Sequence, residues 1–487
     1  MKIFRILLLV IITGGFTVSC FDDGDDNTIS ASEINDFVWK GMNAVYLYKD
    51  NIPNLANDRF TSNQEYADYL NSFITPESLF ESLIYQRPTV DRFSWIVDDY
   101  IALEQSFSGI SKRSGYAFNI YSVPGSATDI FGVIRIVLPN SNASDNNLSR
   151  GQVINSVDGN TLTRDNYRSL FAPDSYTLGF ADYDDNSTPE DLTDDIITSN
   201  GQSVVLTKAV YTENPVFRTN IIDVDGEKLG YLMYNRFNSD FESELNTAFA
   251  ELKSNSVQHL VLDLRYNPGG SVQTASYLGS MITGQFTGQV FAKLQYNSDI
   301  QSNNFDYEFQ SNLDNGNVIN NLNLDKVYVL TSGSSASASE MIINSLSAYI
   351  DVVQIGTNTT GKSQASITVY DSSDLGKEGA NPNHTYAMQP LVAISVNKND
   401  QVVPSTGLVP TTELAENPTN LGVLGNANEL LLAAAIADIQ GTGRINFSVL
   451  NQVKPIAGSE ILIPHTNEMY IDNKTLQINT NRIKLDE

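Results

Sequence analysis

Four serines crowd one short stretch, Ser334, Ser335, Ser337 and Ser339, and Lys362 follows a Thr360-Gly361 turn downstream of them. A serine hydroxyl is a poor nucleophile until a neighbouring base takes its proton, and the usual base is an imidazole. The chain has 3 histidines, and none lies in a segment with the character of a site. His259 begins an apolar run, while His384 and His465 stand in polar, proline-containing stretches. A neutral lysine can replace histidine, and burial among apolar groups favours the neutral amine because the charged form loses its hydration. Lys362 meets that need, since it leaves a glycine turn after the apolar strand expected at 352–355. The chemistry this predicts is serine attack on a carbonyl with lysine as proton acceptor.

The serine segment also has a purely structural reading. Ser337-x-x-Glu340 is a capping box ahead of the apolar series Met341, Ile342, Ile343 and Leu346, so a serine here could simply start a helix. The same position suits catalysis, because the free N–H groups and dipole of a helix N-terminus favour a developing oxyanion. A second backbone turn, Asn267-Pro268-Gly269-Gly270, follows the apolar run 259–264, and its glycines allow close approach to a substrate carbonyl or form an ordinary turn. Asp263 and Arg265 read as braces of that strand.

The elements that must position these residues follow from periodicity. Beyond 213, apolar β-rich runs at 229–234, 259–264, 326–330 and 352–355 alternate with helical stretches near 241–253 and 337–349, the pattern of a layered α/β core. Residues 33–72 carry apolar positions at helical spacing, including Phe37, Trp39, Met42, Val45 and Tyr46, which predicts a small helical domain. Thr75-Pro76-Glu77 should open a further helix, capped by Thr75. From about 108 the pattern becomes short alternating segments at 116–121, 131–138 and 152–157, a β domain. Asp182, Asp184, Asn186, Thr188 and Glu190 alternate as in a calcium loop, but Ser187 stands where that loop needs glycine and Thr193 where it needs glutamate, so a solvated acidic loop is expected.

Five segments together resemble the carboxy-terminal processing, or tail-specific, peptidases. They are Gly230-Tyr231-Leu232-Met233 with Phe237, then 262–270 through Asn267-Pro268-Gly269-Gly270, then Ser335-Ala336-Ser337-Ala338-Ser339-Glu340, then Gly356 to Gly361-Lys362, then Gly407-Leu408-Val409-Pro410. The resemblance covers roughly 95–440 and implies a crotonase-like layered α/β core with a PDZ-like β domain inserted or preceding it. It also implies the roles. The family's lysine base follows its nucleophile by 25 positions, which selects Ser337 for Lys362, and the oxyanion hole falls to Gly269 or Gly270 with the N–H of Ala338. Family members often place a glutamine four positions after the lysine. Here Ser366 stands there and Gln364 lies two positions after, so either could orient the amine. Gly115-Tyr116-Ala117-Phe118 resembles the PDZ carboxylate-binding loop and 150–159 its later strand and turn. Such a groove adds a peptide terminus as an extra strand, with Lys112 and Arg113 assisting by attraction.

The ends and the composition set the surroundings. Lys2 and Arg5 precede a short apolar run, and Cys20, the only cysteine, follows Thr17-Val18-Ser19. This reads as a lipoprotein export signal over 1–19, too short in its apolar part to span a bilayer, with lipid on Cys20 as the membrane anchor and an acidic tether over 20–32. The tether resembles the export tag of outer-membrane lipoproteins of Bacteroidetes, which implies the cell envelope and its surface. A net charge of −28 argues against a nucleic-acid partner. No metal or organic cofactor is implied. The expected layout is therefore a helical domain at 33–105, the PDZ-like domain at 106–212, a peptidase core at 213–440 and an extension at 441–487 whose role the sequence does not reveal. The function expected is a serine endopeptidase acting on polypeptides with a free C-terminus; the alternative is a catalytically inactive peptide-binding lipoprotein of the same fold.

Overall fold

The computed structural model describes residues 31–188, 193–442, 455–462, 469–472 and 476. The residues read as an export signal, Cys20 and nearly all of those read as an acidic tether lie outside the described residues, as does His465.

The N-terminal segment forms the helices Ala31–Val45, Asn63–Asn71, Pro76–Ser82 and Tyr100–Phe107. Thr75 caps the third, its side chain accepting from Ser78 N–H, and so satisfies one of the orphan donors of the first turn. Phe37, Val38, Met42 and Val45 bury their side chains in the same apolar cluster as Leu232, Leu262, Val329 and Ile342. Strand Trp95–Val97 pairs with Ala387–Gln389. The helical segment therefore shares one core with the α/β layers.

The first core sheet runs Val216–Val224, Glu227–Tyr234, His259–Asp263, Lys326–Thr331, Asp351–Gly356 and Thr412–Glu413. Its first pair is an antiparallel hairpin and the others are parallel. Parallel neighbours need crossover connections, and Glu242–Ser254 and Ala338–Leu346 supply two of them. A second sheet runs Gly270–Ser271, Met469–Tyr470, Gln364–Ser366, Leu391–Val396, Val290–Tyr296 and Phe305–Glu308. Helix Ala338–Leu346 packs against strands of both sheets, which is why even Ser339, Glu340 and Ser345 on it are buried.

The intervening β domain is antiparallel: Tyr116–Ser122, Ile130–Val137, Val153–Val157, Ser175–Asp184 and Ile196–Thr207 close over Phe118, Ile134, Ile154 and Leu178. Its last two strands form a long hairpin. Asp182 and Asp184, expected in a loop, belong to an arm of this hairpin, because their backbone pairs with Thr198 and Ile196.

Buried charges fasten the β domain to the core. Arg265 is 0% exposed; its Nε donates to Asp263 at 2.9 Å, and its guanidinium bonds Glu429 at 2.7 and 3.0 Å and Glu416 at 3.0 Å. Arg150, from the β domain, meets Glu416 at 2.6 Å. Burial alone would raise the Glu416 carboxyl, but Arg150 and Arg265 outweigh it and hold the pKa at about 2. Its contribution to stability is thus present above the ordinary glutamate range and fades only as pH falls toward that value.

Candidate active site

Ser337 ends the loop after strand Lys326–Thr331 and stands at the N-cap of helix Ala338–Leu346 with φ 66° and ψ −116°. A serine in this left-handed region stores roughly 1–3 kcal/mol of strain. The capping box is only half made. Glu340 Oε2 accepts the Ser337 N–H at 2.8 Å, but Glu340 N–H goes to the Ser337 carbonyl at 2.9 Å, and Ser337 Oγ makes no hydrogen bond.

The competing serines are spent otherwise. Ser335 Oγ donates to the Leu264 carbonyl at 2.8 Å, Ser339 Oγ donates to that of Asn267 at 3.0 Å, and Ser334 Oγ accepts from Arg135 at 3.2 Å. Ser337 alone of the four keeps its hydroxyl unengaged.

Lys362 is brought to Ser337 through Glu340. The oxygen that takes the Ser337 N–H also takes the Lys362 N–H at 2.8 Å. The other carboxylate oxygen accepts Gly361 N–H at 2.6 Å and Thr359 Oγ1 at 2.5 Å. Burial pushes the Glu340 carboxyl up, against the pull of these donors. Gly361 has φ 80°, and a Cβ there would lie 2.2 Å from the Ser405 carbonyl oxygen, so no side chain fits this turn. Lys362 is 0% exposed, and Phe93 walls its amine, with Nζ 5.1 Å from the ring centroid. The loop carrying Phe93 is clamped down by Arg92, which donates to the Gly361 carbonyl at 2.6 Å.

Gln364 and Ser366 both lie on strand Gln364–Ser366. Gln364 Nε2 donates to Tyr48 Oη at 3.1 Å, leaving Oε1 buried without a hydrogen bond. Ser366 Oγ is occupied by the Met469 carbonyl at 3.1 Å.

The glycine turn sits beside the serine loop. Ala336 N–H donates to the Asn267 carbonyl at 3.1 Å. Gly269 N–H is taken by Asn267 Oδ1 at 2.9 Å. Phe237 bonds the Gly269 carbonyl and Ser271 N–H, both at 2.9 Å, so the N–H and C=O of Gly270 face the other way. A Cβ on Gly270 would lie 1.9 Å from the Phe237 carbonyl oxygen, at φ 137°. Ala338 opens the helix, where an N–H has no intrahelical acceptor. In the β domain Gly115 has φ 89°, and Tyr116, Ala117 and Phe118 begin strand Tyr116–Ser122. Glu340, Arg92 and Phe93 are the residues the sequence did not single out for the site; for Glu340 the signal was there, and it read as a helix cap.

A strained serine at a helix N-terminus, set between the two sheets of an α/β core, is an arrangement suited to serine-hydrolase chemistry. Residues 228–377 match the model of peptidase family S41, and residues 33–95 match that of the peptidase S41 N-terminal domain. A crystal structure of an S41 protease from Bacteroides fragilis superposes with a TM-score of 0.67 and 27% identity, covering 84% of this chain and 97% of the other. A carboxyl-terminal-processing protease of Picosynechococcus is 25% identical over 240 residues, 49% of this chain and 51% of that protein. A CtpA-like serine protease of Staphylococcus aureus is 28% identical over 138 residues, 28% of this chain and 25% of that one. The chain thus matches about half of the length of the first of these curated relatives and a quarter of the second.

Proposed function

We propose that the chain is a serine endopeptidase in which Ser337 is the nucleophile and Lys362 the general base. The observation that carries this reading is the single unengaged hydroxyl among four serines, on strained backbone and tied to the lysine turn through Glu340. Ser337 Oγ attacks the scissile carbonyl and passes its proton to the neutral Lys362 amine, a transfer that requires the two to close to hydrogen-bond distance as substrate binds. The oxyanion is held by the N–H groups of Ala338 and Gly270. Collapse expels the amine half, which takes the proton from Lys362, and water then hydrolyses the acyl-enzyme. Gln364 Oε1, buried without a hydrogen bond, is the group left to orient the amine, since Ser366 Oγ is occupied.

The β domain serves this chemistry as a PDZ-like groove. The edge of strand Tyr116–Ser122, entered through Gly115, Tyr116, Ala117 and Phe118, receives the free C-terminal end of a polypeptide, as the names of the processing-protease relatives would have it. Purified protein incubated with denatured casein should release peptides with new termini, mapped by mass spectrometry. Release of none over a day would leave the inactive peptide-binding lipoprotein as the reading.

The location proposed is the bacterial cell envelope, outer membrane and surface, through lipid on Cys20, because that lone cysteine closes an export signal. Cys20→Ser should shift the protein from the membrane to the soluble fraction, and a variant that stays with the membrane would show another anchor.

A further inference from the structure

The edge at which a peptide would be added is occupied. Ala457–Gly458 pairs antiparallel with Tyr116–Ser122, Ala457 opposite Ile120 and Gly458 opposite Asn119, and Ile456 N–H donates to the Ile120 carbonyl at 2.8 Å. This segment runs toward the Gly115 turn. Its next residue, Ser459, accepts the buried Phe118 N–H on its hydroxyl at 3.0 Å. A donor of the loop that would hold a ligand carboxylate is thereby satisfied from within the chain. After Ser459 the backbone turns into a short 3-10 helix, Ser459–Leu462, where a true C-terminus would stop. Ala457 and Leu462 pack on the β-domain core.

The same tail then reaches the candidate active site. Met469–Tyr470 lies between Gly270–Ser271 and Gln364–Ser366, paired in parallel with Gly270 and Ser271 on the side to which the Gly270 N–H faces. Tyr470 stacks on Phe107 with centroids 4.7 Å apart. Met469, Tyr470 and Ile471 are all buried, and so are Ser337 and Lys362, each 0% exposed. A cavity lined by Tyr116, Ala117, Arg135, Pro268, Ser334 and Ser459 joins the groove to the serine loop. Arg135 spans it, donating to Asn119 at 2.8 Å and to Ser334 at 3.2 Å.

We propose that residues 455–462 and 469–472 are an intramolecular ligand: the first segment fills the peptide groove and the second lies along the edge of Gly270, so that a polypeptide C-terminus must displace them before cleavage. This rests on the groove reading of the β domain. Strand addition gives affinity through main-chain bonds, and a tethered strand competes at a high effective concentration. The ligand class follows from what the groove now holds: an extended end with small residues at the positions of Ala457, Gly458 and Ser459, its carboxylate replacing the Ser459 hydroxyl on Phe118 N–H.

The test uses the full chain carrying Cys20→Ser, and a fluorescein-labelled synthetic peptide with the sequence of residues 451–459 and a free carboxylate. Ala457→Asp with Leu462→Asp places two charges where the tail meets the apolar core of the β domain and should release it. Anisotropy should then show the peptide binding at least tenfold tighter than to the unreleased chain, with no such gain for its amidated twin, and casein cleavage should rise. A second variant, Ile120→Cys with Ala457→Cys, locks the native pairing on oxidation. It keeps the test open if the charged variant fails to fold, because the oxidised form should bind less peptide and cleave less casein than its reduced form. Equal binding by unreleased, released and locked proteins would overturn the proposal while leaving the groove in place. Absence of binding to a released protein whose 116–122 amides exchange freely would overturn the groove reading, and the proposal with it.

Discussion

Ser337→Ala should reduce casein cleavage by roughly four orders of magnitude or more, the scale of losing a nucleophile, while leaving the fold almost untouched. The second half of this expectation comes from the geometry. A serine that caps a helix through its hydroxyl costs about 1 kcal/mol when lost, but Ser337 Oγ makes no hydrogen bond, and the half of the capping box that exists uses the backbone N–H, which alanine keeps. The strained backbone at φ 66° is equally unfavourable for both residues. The melting temperature should therefore move by only a degree or two, read by calorimetry beside the cleavage assay. Undiminished cleavage would send the search for the nucleophile elsewhere, and Ser334, Ser335 and Ser339 would be poor replacements because each hydroxyl already has a partner.

What the sequence disclosed was mostly local. Thr75 before Pro76 marked a helix start because a cap acts within one turn. The strands at 227–234, 259–263 and 351–356 showed as apolar runs because parallel strands buried on both faces leave little room for polar residues. Ser337 could be placed at a helix N-terminus for the same reason. Glu340 shows where local reasoning stops: its spacing predicts a cap, but Thr359, Gly361 and Lys362 reach it only after strand Asp351–Gly356 has crossed back beside Lys326–Thr331. Arg92 and Phe93 carry no motif, and they matter because the N-terminal segment folds onto the lysine turn. The tail was the least legible part. Weak alternation beyond 441 suggests a few added strands, but two-residue strands such as Ala457–Gly458 and Met469–Tyr470 do not announce the edges they occupy, and their meaning lies wholly there.

These edges bear on how the buried residues of the site should behave. Ser337 and Lys362 are both fully buried, beside an edge already paired, so one layer of packing covers the proposed nucleophile and the proposed base together. The arrangement links two demands on the fold, since burial of the kind that favours a neutral amine also requires that substrate enter by displacing something.

The base is where lysine and histidine mechanisms part. If Lys362 accepts the Ser337 proton, its amine must be largely neutral in the working enzyme, with a pKa well below the ~10.4 of a free lysine; a lowered pKa means the neutral fraction, and so the cleavage rate, rises with pH through that value. Lys362→Arg keeps the positive charge and much of the bulk but cannot release its proton, so it should be nearly as inactive as Lys362→Ala, with rates down by several orders of magnitude in both. The histidines have other engagements: His259 Nε2 pairs with Glu227 at 2.5 Å, and His384 Nε2 with Asp371 at 3.0 Å. Replacing His259, His384 and His465 singly with Gln should leave cleavage within a few-fold of the parent chain and leave the rise with pH in place. Casein cleavage followed from pH 6 to pH 10 for each variant decides the matter. Near-normal cleavage by Lys362→Arg, together with an inactive histidine variant, would move the proton acceptor to that histidine and end the serine–lysine assignment.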